Sequence, residues 1–226
     1  MAIQVTVWNE YVNEREYPHI GEIYPQGIHT AIAEGIVKHG SFEVRTALLD
    51  DPEQGLSQKI LQNTDVLIWW SHMKNEQVQD EAVKRVIQRI REGMGFIALH
   101  SSSGSKIFKQ LMGTTCRHTW REAEDAQRLW VVDPSHPIVE GIGSCIELER
   151  EEMYGEYFDI PAPDELVFIS WYTGGEVLRS GCTYRRGRGK IFYFSPGHEE
   201  HPTYYNDDIL KVIANGVKWA HSPCKP

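Results

Sequence analysis

Three histidines stand just past the end of short apolar runs: His72 after Val66–Trp70, His100 after Phe96–Leu99, and His198 after Ile191–Ser195. Imidazole is the usual general base near neutral pH and a common metal ligand. A single histidine at a strand end is more often a hydrogen-bonding cap. Three of the ten in the chain placed this way point jointly to chemistry, with His100 and His198 as an acid–base pair. His29 lies in the first turns of a helical stretch, beside the end of the first apolar run. With His72 and His198 it makes a three-imidazole set of the kind zinc takes together with a water. No HExxH or comparable spacing frames that set, and packing or capping would account for His29 equally well.

Carboxylates and aromatics complete the candidate site. Glu152, in Glu151-Glu152-Met153-Tyr154, can assist acid–base catalysis, and Tyr154 can bind a sugar hydroxyl. Acidic residues in an irregular stretch, as this one reads, are usually only solvated. The first apolar run ends in Trp8-Asn9-Glu10, and Trp70 closes the third; an aromatic edge beside amides and carboxylates suits a sugar ring. Trp69, Trp120 and Trp171 add to the same inventory. The segment GFIALHSSSGSK (95–106) reads as strand, sharp turn and helix, an arrangement that lifts one side chain above a sheet with amides behind it to hold an oxyanion. A nucleophilic hydrolase would place Ser or Cys at that elbow; here it is His100. Ser101 follows without a G-x-S-x-G frame and is the weaker alternative as nucleophile, and no cysteine is near, which argues against thiol catalysis.

These residues need a scaffold that brings strand ends together. Ile3–Trp8, Phe42–Leu49, Val66–Trp70 and Phe96–Leu99 read as strands. Between them, helical spacing runs over Tyr24–Gly40 (Ile28, Ile32, Ile36), a short helix follows Ser57, and Gln77–Glu92 carries a stripe at Val78, Ala82, Val86 and Ile90. Ser105–Met112 reads as a further short helix. This alternation predicts an α/β fold with a mostly parallel sheet and helices on both faces, whose ligands bind outside the carboxyl ends of the strands. Beyond residue 113 short strands are expected at Arg128–Val132, Ile146–Leu148, Leu166–Ile169, Glu176–Arg179, Cys182–Arg185 and Ile191–Ser195, with a closing helix over Asp208–Ala220. No linker or repeat divides residues 1–226, so one domain is expected.

Composition narrows the partners. A net charge of -9 argues against nucleic acid, and the basic cluster Arg185–Lys190 reads as a hairpin turn. The four cysteines, Cys116, Cys145, Cys182 and Cys224, form no CxxC pair, which suits a reducing compartment. The N-terminus reads as a strand rather than a signal peptide, and no apolar run reaches membrane-spanning length. A cytoplasmic protein with a small-molecule partner is expected, with a homo-oligomer left open. His39, His136 and His221 read as surface residues.

The runs WNEY (8–11), YPQGIH (24–29), TDVLIWWSH (64–72), GMGFIALHS (93–101), RLWVVDPSHPI (128–138), EEMYGEYFDIP (151–161) and GKIFYFSPGHE (189–199) resemble the ThuA-like trehalose-utilisation family, and the resemblance covers nearly the whole chain. It implies the flavodoxin-like three-layer fold of the class I glutamine amidotransferase superfamily without its nucleophilic cysteine. It also implies a role in the catabolism of trehalose or a related disaccharide, 3-keto forms included. The family's recurrent positions map onto His29, His100, Glu152, Tyr154 and His198. Close relatives carry a Gly-His pair where this chain has Ser102-Ser103, and His118 is the candidate substitute. A non-catalytic sugar-binding or regulatory protein is the competing class, but it would not need three strand-end histidines.

Overall fold

The computed structural model describes residues 2–221, so Cys224 lies outside the described residues. The chain runs through strand β1 (Ile3–Asn9), helices α1 (Asn13–Glu16), α2 (Pro18–Ile23) and α3 (Ile28–Ile36), β2 (Phe42–Leu48), α4 (Gln58–Gln62), β3 (Val66–Trp70), α5 (Asp80–Glu92), β4 (Gly95–Leu99) and α6 (Lys106–Met112). It continues through β5 (Thr119–Val131), β6 (Cys145–Gly155), β7 (Glu165–Tyr172), β8 (Val177–Arg186), β9 (Gly189–Phe194) and α7 (Asp207–Ala220). Among the described residues, nine strands join one sheet in the order β2-β1-β3-β4-β9-β8-β7-β5-β6.

The pairings from β2 through β9 are parallel. Strands β3 and β4 are buried along their whole length because each face is covered by helices, and so they read as unbroken apolar runs. Leu67 and Trp69 pack with the stripe Ala82, Val83, Val86, Ile87 and Ile90 of α5 and with Ile107 and Phe108 of α6. Val66, Ile68 and Trp70 face the other way, toward Ile28 and Ile32 of α3 and Ile209, Ile213 and Val217 of α7. Local signals set the helix ends: the Ser57 and Ser105 side chains cap α4 and α6, and Gly93, at φ +126°, ends α5.

The expectation of a mostly parallel sheet is corrected. From β9 outward every pairing, β9–β8, β8–β7, β7–β5 and β5–β6, is antiparallel, and the sheet is mixed. Short links such as the one between Arg186 and Gly189 can join only antiparallel neighbours, whereas parallel strands need a helix-length crossover. The helix expected over Tyr24–Gly40 is also shorter. It begins at Ile28 because Gly27 sits at φ +85°, a conformation that breaks helical geometry. A Cβ on Gly27 would lie 2.3 Å from the His29 ring, so glycine also makes room for that imidazole. Among the described residues, no helix is long and apolar enough to cross a membrane.

Candidate functional site

The loops that follow β1, β3, β4 and β9 meet at one end of the parallel strands. His100, the first residue after β4, adopts the left-handed conformation at φ +51°, which a residue with a Cβ seldom takes. The turn buries its ring completely. Its Nδ1 lies 2.9 Å from the Ser195 carbonyl; since a carbonyl only accepts, Nδ1 carries a hydrogen and Nε2 points to the centre. There Nε2 lies 3.2 Å from Glu152 Oε2 and 3.1 Å from the Tyr154 hydroxyl. Glu152 and Tyr154 are two apart on β6, so the strand presents both on the same face. The Tyr154 ring stacks on His100 at 4.8 Å.

His198 and His72 close the cluster. His198 Nε2 lies 3.8 Å from Glu152 Oε2 and 3.7 Å from Glu199 Oε2, so Glu152 stands between two imidazoles. The His198 ring accepts at Nδ1 from the Glu200 amide at 3.3 Å, which places the hydrogen of its neutral form on Nε2. His72 has the opposite tautomer. The Ser101 hydroxyl donates to the Ser71 carbonyl, so the 2.9 Å contact between Ser101 Oγ and His72 Nδ1 is donated by the ring and Nε2 is left free. Ring centroids separate by 6.2 Å for His72–His100, 5.9 Å for His72–His198 and 5.4 Å for His100–His198.

Buried carboxylates hold the loops that carry these rings. Glu10 accepts from the amides of Met73 and Lys74 and so fixes the turn after His72. Glu151 accepts from the amides of Gly197 and His198 and from the Thr203 hydroxyl, which pins the segment after β9. Glu14 accepts from the Asn9 amide group and from the Ile28 backbone at the start of α3. Glu199 Oε1 accepts from Asn13 at 2.6 Å. Glu10, Glu14, Glu151, Glu152 and Glu199 are all buried, and among the described residues none is ion-paired to a lysine or arginine.

This environment decides the charges. Burial opposes a charge on His100, but the hydrogen bond and charge of Glu152, with Glu151 and Glu199, outweigh it and raise the pKa. Burial would raise Glu152, yet the hydrogen bond and charge of His100, then His198, bring it down to about 2. His198 is lowered to about 3 and His72 to about 4, in both cases by burial first and the His100 charge second. Glu199 is pushed up to about 7 by burial. The cluster therefore holds a charged His100–Glu152 pair flanked by two neutral imidazoles.

Two cavities open onto Glu152. One, of about 500 Å³, is lined by His72, Ser101, His118, Trp120, Glu152 and Tyr154, with Lys109 and Arg117 also on its wall. The other, of about 370 Å³, is lined by His19, Glu152, His198 and His201, among others. Volumes of this size hold small-molecule ligands.

Of the residues singled out in the sequence, the structure gathers His72, His100, His198, Glu152 and Tyr154, and it leaves others outside. Trp8 and Trp70 do not form a cleft wall: both are wholly buried. Trp8 stacks on Trp69 at 3.7 Å and Trp70 donates to the Gly197 carbonyl, because their strands are covered on both faces. The aromatic wall is Trp120, 61% exposed. Asn9 and Glu10 are buried and committed to internal bonds, Asn9 to Glu14 and His29. His29 is held by Asn9 and by the edge of Tyr11, and neither group of residues close enough to share an ion includes it. His136 is buried and not a surface residue. Glu199 joins the cluster without having been singled out by its type; its place directly after His198 is the signal the sequence carries for it.

An α/β protein with a histidine–carboxylate cluster at the carboxyl ends of its parallel strands is thus defined. The family model described as "Trehalose utilisation" matches residues 4–220, and the chain belongs to this ThuA family. A ThuA-like protein of Parabacteroides merdae superimposes with a TM-score of 0.68 at 13% identity, over 98% of this chain and 91% of that one. A ThuA-like protein of Bacteroides uniformis gives 0.68 at 12% identity over 99% and 93%. A cytoplasmic protein of Salmonella typhimurium gives 0.62 at 12% identity over 96% and 99%. At these identities the likeness is one of fold. No curated protein matches the sequence.

Proposed function

We propose that this protein is a cytoplasmic enzyme of carbohydrate catabolism acting on trehalose or a related disaccharide, 3-keto forms included. His100, Glu152 and His198 move the protons. One observation carries the reading: Glu152 lies between two imidazoles, at 3.2 and 3.8 Å, where two cavities meet. A two-ring sugar fits such a site with one ring in each cavity and its linkage over Glu152. Trp120 offers a stacking face to one ring, and Tyr154 a hydroxyl. Glu152 Oε2 has no well-aligned hydrogen bond, so it has acceptor capacity for a substrate hydroxyl or an acidic C–H.

In a 3-keto sugar the carbon next to the ketone is acidic, and the linkage carbon follows it. A base that takes the C2 proton and an acid that protonates the departing oxygen together cleave the linkage by elimination. The family and the cluster support this reading, and the flavodoxin-like kernel we assign to β2-β1-β3-β4-β9 would place the site where such sheets bind ligands. Substitution Glu152→Gln keeps shape and removes the proton acceptor. Its turnover of 3-keto-trehalose should fall by about 10²–10⁴-fold against wild type. Unchanged turnover in Glu152→Gln, or none by the wild type on any disaccharide tested, would contradict the proposal.

A further inference from the structure

The carboxylate cluster described above is rich in negative charge, and the charged His100 is its one cation among the described residues. One imidazole nitrogen, His72 Nε2, also reaches it with its lone pair free, and His100 Nε2, whose hydrogen now faces Glu152, offers a second once a metal displaces that proton. His72 and His100 each donate from Nδ1 to an oxygen, Ser101 Oγ and the Ser195 carbonyl respectively, and present Nε2 inward. Fixing a ring through its second nitrogen is how proteins orient imidazoles toward a metal. Glu199 lies close to both rings. Its side chain is 7% exposed; Oε1 is held by Asn13, and Oε2 is buried with no hydrogen-bond partner. A buried carboxylate oxygen left unpaired calls for a cation or a proton.

The geometry points to a divalent transition-metal site formed by His72 Nε2, His100 Nε2 and Glu199, with zinc as the ion the donors suit best. The ligand atoms of these residues all lie within 4.8 Å of one another, and His72 Nε2 is 3.9 Å from Glu199 Oε1. Tetrahedral zinc, with bonds of about 2.0–2.1 Å, wants its ligand atoms roughly 3.3 Å apart. His72, the least buried of the three, has room to close that gap. Two imidazoles and a carboxylate leave a coordination position open, and His72 borders the larger cavity, so that position faces the ligand space. Nitrogen donors favour zinc over magnesium or calcium.

The alternative set, His100, Glu152 and His198, is equally compact but less suited. The Glu200 amide occupies His198 Nδ1, so the neutral ring presents a hydrogen, not a lone pair, at Nε2. With the ion bound, His100 becomes a ligand, and Glu152 with His198 remains to move protons. The site rests on the proposed function only for what the ion would do, which is to polarise a sugar oxygen.

Binding is testable without any sugar. Zinc titrated into chelator-stripped protein should bind one ion per chain and raise the melting temperature. Cobalt used as a spectroscopic probe should give the visible bands of a nitrogen–oxygen site. Glu199→Gln and His72→Asn should each weaken zinc on the order of 100-fold, with far-UV circular dichroism unchanged, while His29→Asn binds as the wild type does. The proposal is overturned if the wild type binds no stoichiometric zinc. It is equally overturned if Glu152→Gln and His198→Asn lose the ion while Glu199→Gln and His72→Asn retain it.

Discussion

The imidazoles of this chain differ in what surrounds them, and that difference assigns their roles. His100 keeps its proton because buried carboxylates face it, whereas His29 is buried beside an amide and a tyrosine edge and is lowered to about 4 by burial, against a weaker pull from Asp51. The sign of the effect on stability follows from proton counting. An unfolded histidine takes its proton near pH 6.5, and the folded one resists it until about 4. Below pH 6.5 the unfolded chain binds the extra proton, so the share of stability owed to His29 is complete above that pH and is lost as the pH falls toward 4. Urea unfolding between pH 4 and 7 should show a shallower acid-side loss in His29→Gln than in wild type. Equal slopes would mean that His29 is not held neutral in the fold.

At the level of elements, what the chain disclosed depended on which faces were covered. Strands β3 and β4 and the stripe of α5 were legible because burial on a sheet or along one helix face demands apolar residues at fixed periods. The long ribbon of β5 and β6 was legible only in part, at Arg128–Val132 and Ile146–Leu148. Thr119–Val131 reads TWREAEDAQRLWV, and only Asp125, Gln127 and Leu129 are buried in it, so no apolar alternation announces the strand before Arg128. For the same reason Glu151 and Glu152 were read as part of an irregular stretch, although they sit on β6 and are buried by tertiary contact. Glu176–Arg179 and Cys182–Arg185 were read as separate strands and form one, β8, because the buried Gly181 between them lies against Phe168 and not in a turn. Glu151 also gives the element-scale prediction. Glu151→Ala would leave two amides and a hydroxyl without their acceptor, at a cost of about 3 kcal/mol or more. Hydrogen exchange at residues 196–204 should accelerate well beyond the rest of the molecule, and uniform exchange would show that the loop is held by something else.

Taken whole, the molecule divides its labour across one sheet. The parallel half supplies strand ends that converge, and the antiparallel half supplies β6, which carries Glu152 and Tyr154 back to them. The histidines at strand ends were readable from the sequence; the partner carboxylate on β6 depended on how the outer strands return to that end, which no local pattern encodes. Neither half holds the complete set of groups, so the cavities on either side of Glu152 exist only in the assembled sheet. In the proposed complex a two-ring sugar lies across Glu152. This placement is tested most directly by a crystal structure of Glu152→Gln with bound 3-keto-trehalose. One ring is expected against Trp120, the other beside His198, and the linkage oxygen within roughly 2.6–3.2 Å of the residue-152 side chain or one water away from it. A sugar bound elsewhere, or both rings in a single cavity with the linkage away from residue 152, would contradict this placement.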